Sequence, residues 1–423
     1  MALSSPTVAA GPDELVLPSQ DPWYTALPGF EACSPGTVLR VRTLPGSSIP
    51  FDHTSKAYHI LYRTTGSRYQ PAWAVASLFI PENPYTLPSR HNVLLSCQAA
   101  YNSANVDWSP SYRLFQPAPA SSHGIPTGHD RFNKMLSRGW YVVVPDFEGP
   151  RAAFGASVLA GHATLDGIRA VLSLISNDDV LLPNDGRFKY AMWGYSGGSL
   201  ASEKAAELQV QYAPELSAGL VGAALGGLVS NLGNTFNVVN KSPYTGNLIL
   251  VLLGIMNEYP DADAYIRSRL RTDGSHNATG FLEGLDMQSL QAFRAFANQD
   301  IYAYFKNGQA DLKESKVLRR IEKVEWMLGF HGTPEIPLFV YKAIGDHMTP
   351  IADTDEHIAQ YKRFNVSILY ERNTVGDHIS EIENGQERAI EWLASVFDGT
   401  YDGLDQGVRI RDVAVDIYKP PVA

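Results

Sequence analysis

Cysteine is almost missing: the 423-residue chain has two, Cys33 and Cys97. That excludes a disulfide-built scaffold and any cysteine-rich zinc site. A single disulfide and two unrelated buried thiols both stay open. No His-Glu-x-x-His occurs, and Gly161 and Gly167 lack the Lys and Ser/Thr that a phosphate loop requires. No metal and no nucleotide cofactor are expected. Basic residues are in deficit, 34 against 44 acidic, for a net charge of −10. This argues against nucleic acid or an anionic membrane surface as partner. No apolar run approaches the roughly 20 residues of a membrane span, so no stable membrane insertion is expected. The first residues, Met1-Ala2-Leu3-Ser4-Ser5-Pro6, have neither the basic nor the apolar part of a secretory signal. The expectation is a mature secreted form without a signal peptide, with an intracellular protein as the alternative.

What is present is an ordinary globular composition, 44% hydrophobic and 18% charged. The length suits one large α/β domain with an insertion, or two domains. The most informative stretch is Lys189-Tyr190-Ala191-Met192-Trp193, which reads as a buried strand. Gly194-Tyr195-Ser196-Gly197-Gly198 follows at once, and good helix formers continue to Gln209. Gly-x-Ser-x-Gly between a strand and a helix is the setting of a nucleophile elbow. The turn is so tight that side chains at 194 and 198 would collide with neighbouring backbone. The new helix aims its first N–H groups at the serine, which places Gly197 N–H as an oxyanion donor. A plain Gly/Ser loop is the competing reading.

Around this point strands and helices alternate. Thr37–Arg42, Ala57–Arg63 and Ala72–Ile80 read as opening antiparallel strands, after a loose arm over residues 1–35. Asn92–Cys97 and Trp140–Pro145 read as central strands, with helices over Phe132–Arg138 and Gly155–Ile175. After a strand over Ala218–Leu225 the beat stops. Residues 226–334 show helix-like segments, among them Gly246–Met256, Asp261–Leu270 and Met287–Tyr304, and no clear strand. The expected division is a core over 1–225, a helical cap over 226–334, and the rest of the core over 335–423. Strands at Ile336–Lys342 and Val366–Tyr370, the latter taken as the last, alternate with helices at Ile351–Arg363 and Ser380–Phe397. The tail beyond Tyr401 is expected to lie on the surface. The fold class is therefore α/β, a mostly parallel sheet covered on both faces, with an inserted helical cap.

A serine nucleophile needs a base, and the base needs an orienting carboxylate. With the order Ser, acid, His, the acid follows a late strand and the histidine precedes the closing helix. Asp346 and His378 fit those places. His347 precedes the last expected strand and reads as a rim residue. Asp377 reads as a helix cap, and Asp353 and Asp355 as partners of a helix N-terminus. His91, His129 and His162 read as structural. The second oxyanion donor is expected in the Gln98–Asn105 loop, at a backbone N–H near Asn102 aided by its amide. A turn-supporting asparagine is the bland alternative. Tyr195 and Tyr101 flank these positions and are expected as substrate contacts.

Several ordered segments carry a resemblance. They are Asp21-Pro22-Trp23-Tyr24, Pro145-Asp146-Phe147-Glu148-Gly149, Leu165-Asp166-Gly167-Ile168-Arg169-Ala170, the elbow with Tyr212-Ala213-Pro214-Glu215-Leu216, and Phe397-Asp398-Gly399-Thr400. In these the chain resembles the fungal secretory-lipase family typified by Candida antarctica lipase A, and its biosynthetic esterases such as trichothecene C-3 esterase. The resemblance implies an α/β-hydrolase with Ser196, Asp346 and His378 as triad, and Gly197 and Asn102 at the oxyanion hole. It departs at Asn102, where the lipase has an aspartate, and in having no cysteine in the cap or C-terminal region. It implies a small-molecule or lipid ester as substrate, with transient contact at a lipid interface. An acyltransferase, deacetylase or peptidase would use the same three residues. A non-catalytic binding protein on the same fold is the rival from another class.

Overall fold

In the computed structural model, residues 8–12, 14–44, 49–116, 129–176, 187–403 and 407–418 are described. They build one eleven-stranded sheet. Its strands are β1 (Val8–Ala9), β2 (Val38–Thr43), β3 (Thr54–Thr65), β4 (Pro71–Pro81), β5 (Asn92–Gln98), β6 (Tyr141–Pro145), β7 (Phe188–Tyr195), β8 (Leu220–Gly226), β9 (Leu338–Ala343), β10 (Ile368–Asn373) and β11 (Val408–Val413). Their order across the sheet is β1-β2-β3-β4-β6-β5-β7-β8-β9-β10-β11. The pairs β2–β3, β3–β4 and β4–β6 are antiparallel, and from β6 to β11 every pair is parallel.

The apolar runs explain which strands lie in the middle. Every residue of β5, β6 and β9 is buried, as a strand covered on both faces requires. Alternate residues then serve different layers. Val142 and Val144 of β6 pack in one core with Phe132, Met135 and Leu136 of α1 (His129–Ser137). Tyr141 and Val143 pack in the other with Ala163, Ile168 and Val171 of α2 (Ser157–Ser176). α3 (Gly197–Tyr212) joins that second layer through Leu200 and Ala205. α4 (Gly246–Glu258) and α5 (Pro260–Arg269) belong to the insertion, and α6 (Ile351–Lys362) and α7 (Gln386–Asp398) follow it.

β5 has β6 on one side and β7 on the other, although the chain runs β5, β6, β7. The sheet therefore changes direction at β5, and ligands in open α/β sheets gather at the strand ends beside such a point. Because the pairs are parallel, the C-terminal ends of β5, β7, β8, β9 and β10 all emerge on one edge.

Between β8 and β9 the chain forms helices with only isolated bridges, Asn231 to Met327 and Leu270 to Phe305. Leu248–Leu253 of α4 are at most 1% exposed and belong to the main core. Gly254 sits so close to the Phe154 backbone that an added Cβ would lie 2.2 Å from the Phe154 carbonyl oxygen. The apolar face of α4 thus packs the insertion onto the core. The helix expected over Met287–Tyr304 is broken into Ser289–Ala295 and a short turn at Ile301–Tyr304. Asn298 between them has φ +60°, which no helix continues through.

Two other expectations are corrected, and the open question of the two cysteines is answered. Val366–Tyr370 does not end the sheet, because β11 adds a parallel strand with Ile368 opposite Val408. Val408-Arg409-Ile410-Arg411 alternates apolar and charged residues, as an exposed edge strand does. The arm is pinned by Asp21, which caps the turn at Pro22–Tyr24 and pairs with Arg42 at 2.6 Å. Cys33 and Cys97 are both free, and Cys97 is buried within β5. No helix among the described residues is long and apolar enough to cross a membrane, and these residues hold no metal-binding cluster.

Candidate active site

β7 ends at Tyr195 and α3 begins at Gly197, so Ser196 alone makes the turn. Its backbone sits at φ +54°, ψ −121°, a strained conformation for a residue with a side chain. The Ser196 N–H is held by the Gly226 carbonyl at 2.9 Å. The flanking glycines are required by contact. A Cβ at Gly194 would lie 2.0 Å from Gly198 O, and one at Gly198 would lie 2.0 Å from Gln98 O.

His378 follows β10 and Asp346 follows β9, so parallel pairing of the two strands brings the loops together. The loops touch at Gly345 and Gly376, where a Cβ on Gly345 would lie 2.7 Å from Gly376 O. His378 Nε2 is 2.9 Å from Ser196 Oγ, and His378 Nδ1 is 2.7 Å from Asp346 Oδ2. His378 and Asp346 are buried.

Asp346 accepts from every side. Oδ1 takes the N–H groups of Met348 and Thr349, and Oδ2 takes the Thr349 hydroxyl and the Lys342 ammonium. Burial pushes this carboxyl up, but His378, Lys342 and the Thr349 N–H together hold it well below the usual carboxylate range. An acceptor-only carboxylate requires the proton on His378 Nδ1. That leaves Nε2 as the acceptor facing the serine.

Gly197 and Asn102 also meet. A Cβ on Gly197 would lie 2.3 Å from Asn102 Oδ1, so the amide lies directly over the first turn of α3. Asn102 has φ +44°, and its Oδ1 is buried without a hydrogen-bond partner. Its backbone N–H, with that of Ser103, faces the buried Glu148 carboxyl. Burial drives Glu148 well above its ordinary range, and these two N–H groups offset part of that, although neither carboxyl oxygen has a partner in hydrogen-bonding geometry. The group that Asn102 presents to the elbow is therefore its side chain, where the sequence pointed first to the backbone.

The two tyrosines expected as substrate contacts have their hydroxyls bonded within the protein. Tyr195 is buried, and its hydroxyl donates to the His378 carbonyl at 2.7 Å. The Tyr101 hydroxyl accepts from Glu148 N at 2.9 Å, and its ring meets Phe147 edge-on. Both hydroxyls are engaged with the protein itself. His347 lies at the rim, 4.0 Å from Asp377 and against the Tyr244 ring. Asp377 caps the turn at Ile379 and Ser380. Asp353 bonds the Asn234 amide and Asp355 the Tyr370 hydroxyl. His162 is buried beside Thr65 and pushed down to about 3 by desolvation, His91 bonds Ser89, and the side chain of His129 lies outside the described residues.

Sequence reasoning missed Lys342, Thr349 and Glu148. Lys342 stands in an otherwise apolar strand, Leu338-Phe339-Val340-Tyr341-Lys342-Ala343, and a charge there must have a buried partner. That was the available signal.

A mostly parallel sheet, a strained serine at a strand-to-helix corner, and a late acid and histidine at neighbouring strand ends define an α/β-hydrolase. The solved structure of Candida antarctica lipase A superposes with a TM-score of 0.82 at 25% identity, over 96% of this chain and 92% of that one. The sequence profile described as secretory lipase matches residues 118–403, and the chain belongs to that family. It is 44% identical over 405 residues to a probable trichothecene esterase of Stachybotrys chartarum, covering 95% of this chain and 81% of that protein. It is also 44% identical over 411 residues to the trichothecene C-3 esterase of Fusarium sporotrichioides, covering 96% and 89%. The protein is an ester hydrolase.

Proposed function

We propose that Ser196, His378 and Asp346 form the catalytic triad of an esterase that cleaves acyl esters of a small-molecule alcohol. The observation that carries this reading is the unbroken contact line from Ser196 Oγ through His378 to an acceptor-only Asp346. Ser196 Oγ attacks the ester carbonyl while His378 Nε2 takes its proton. The oxyanion forms against the Gly197 N–H and the Asn102 Nδ2–H, the donor end of that amide. His378 returns the proton to the departing alcohol, and water then releases the acid by the same route. Asp346 keeps the imidazole oriented and stabilises its charge.

The insertion over 226–334 is read as a cap. Support comes from its contacts with the oxyanion loop: Ser103 donates to Met287 O at 2.9 Å, and Ser289 donates to Asn102 O at 3.0 Å. The two 44% identical relatives named above are a probable trichothecene esterase and a trichothecene C-3 esterase, which favours a small-molecule ester over a lipid aggregate. The test is hydrolysis of p-nitrophenyl esters over a ladder of acyl lengths, with and without an emulsion interface. Expected are rapid turnover of short acyl esters, no activation by the interface, and a fall of about 10³-fold or more in Ser196→Ala. Wild-type turnover in that variant refutes the triad, and preference for emulsified long-chain esters refutes the substrate class.

A further inference from the structure

Lys342 is fully buried on β9, and its polar contacts are all to protein groups around the acid loop. Its ammonium lies 3.0 Å from Asp346 Oδ2, 3.0 Å from Leu228 O and 2.5 Å from Thr349 Oγ1. All three neighbours act as acceptors. Leu228 offers a carbonyl, Asp346 a carboxylate, and the Thr349 hydroxyl gives its own hydrogen to Asp346 Oδ2 at 2.9 Å. Three acceptors call for three hydrogens, which only the charged ammonium carries. Burial lowers the ammonium and Asp346 works against that. A lysine and an aspartate with side chains 0% and 1% exposed thus form an ion pair directly under the histidine.

We propose that Lys342 is a positioning residue for ester hydrolysis: it clamps the Asp346 carboxylate in line with His378 and cancels part of the negative charge that the imidazole feels. The proposal rests on the triad reading above. A lone buried aspartate would favour the protonated imidazole strongly, and an enzyme with such a pair loses its base at comparatively high pH. The ammonium and the imidazole meet the same carboxylate oxygen, Asp346 Oδ2, at 3.0 and 2.7 Å, so the imidazole faces a nearly neutral pair instead of a lone negative charge. Other charges act on the residues around the pair. Asp353 and Asp355 of α6 act on Lys342 and favour its charged form. Asp377 and Glu381 both oppose ionisation of Tyr195. Asp377 is near His347 and takes N–H donors from Ile379 and Ser380, and Glu381 is paired with Arg388.

Lys342 also bonds the first turn after β8, at Leu228 O, where the insertion begins. Thr354 of α6 reaches the same carbonyl at 3.4 Å. The clamp therefore joins the acid loop to the root of the insertion.

The experiment is the pH dependence of kcat/KM on p-nitrophenyl acetate for wild type, Lys342→Met, Lys342→Arg and Ser196→Ala. The proposal expects the acid limb of Lys342→Met to move to higher pH by about one unit, with kcat reduced and KM little changed. Lys342→Arg, which keeps the charge, should recover most of the wild-type limb. An unmoved limb in folded Lys342→Met overturns the proposal, whatever the loss in kcat, because a purely structural lysine has no hold on that limb. Should Lys342→Met not accumulate folded, Thr349→Val takes its place. It removes one of the groups holding the ammonium on Asp346, so a smaller shift in the same direction is expected and no shift overturns. Failure of the triad reading appears separately, as undiminished turnover in Ser196→Ala.

Discussion

The hydroxyl of Tyr195 donates to the backbone carbonyl of His378 at 2.7 Å, and the two rings lie 5.5 Å apart. The residue just before the elbow serine thus steadies the loop that carries the histidine. Removing that buried donor leaves the carbonyl without it, at about 1 kcal/mol. Tyr195→Phe is expected to stay folded and to lower kcat about three- to tenfold with KM unchanged, measured by steady-state kinetics on p-nitrophenyl acetate.

The three elbow glycines separate folding from activity. A methyl at Gly194 or Gly198 meets backbone at 2.0 Å, so Gly194→Ala and Gly198→Ala must displace a strand or the helix start. Each is expected to destabilise the protein by several kcal/mol, read as a large drop in Tm or in soluble yield. A methyl at Gly197 meets only the end of the Asn102 side chain, which can swing away. Gly197→Ala should therefore fold with near wild-type Tm while losing turnover, because the displaced amide no longer lines the oxyanion site.

Asp346→Asn replaces one acceptor oxygen with a donor. The amide then faces His378 Nδ1, and the proton moves to Nε2, where it points at Ser196. The expected loss in kcat is about 10³- to 10⁴-fold near neutral pH, the scale known for this change in other triads. Circular dichroism should show an unchanged fold.

Asp146 offers a pH prediction. Burial pushes its carboxyl up to about 7, against the opposing hydrogen bonds from Ser111. A folded pKa above the unfolded value means that the native state holds the proton more tightly. The resulting stability is complete below the unfolded pKa of about 4 and is lost as pH rises through 7. Glu207 and Glu381 are also raised to about 7 by burial and act in the same direction. The Tm of the wild type is expected to be higher near pH 5 than near pH 8. Asp146→Asn should flatten part of that slope; an equal slope in the variant would remove Asp146 as a cause.

The elbow was legible because its chemistry is local: two contacts at 2.0 Å leave no choice but glycine at 194 and 198. Asp346 and His378 were legible by order, since parallel strands deliver consecutive loops to one edge. Other features depend on partners far away in the chain. Nothing adjacent to Lys342 shows that Asp346 and Leu228 will surround it, although a lysine inside an apolar strand marks the anomaly. The hydroxyl partners of the two tyrosines, Glu148 N–H and the His378 carbonyl, could not be read from the sequence because they come from other loops. β11 was missed for a different reason. An edge strand needs only one covered side, so its charged alternation resembles an unstructured tail.

The carbonyl of Asn102 is held by Ser289, and Asn257 donates to the carbonyl of Ala104 at 3.0 Å, so the loop proposed to stabilise the oxyanion is fastened to the insertion proposed to act as a cap. Widening the enclosure for a bulkier alcohol tugs on the same few peptides that steady the oxyanion. On the proposed reading, selectivity and speed are mechanically geared together, and a lineage adapting to a new ester must retune both at once.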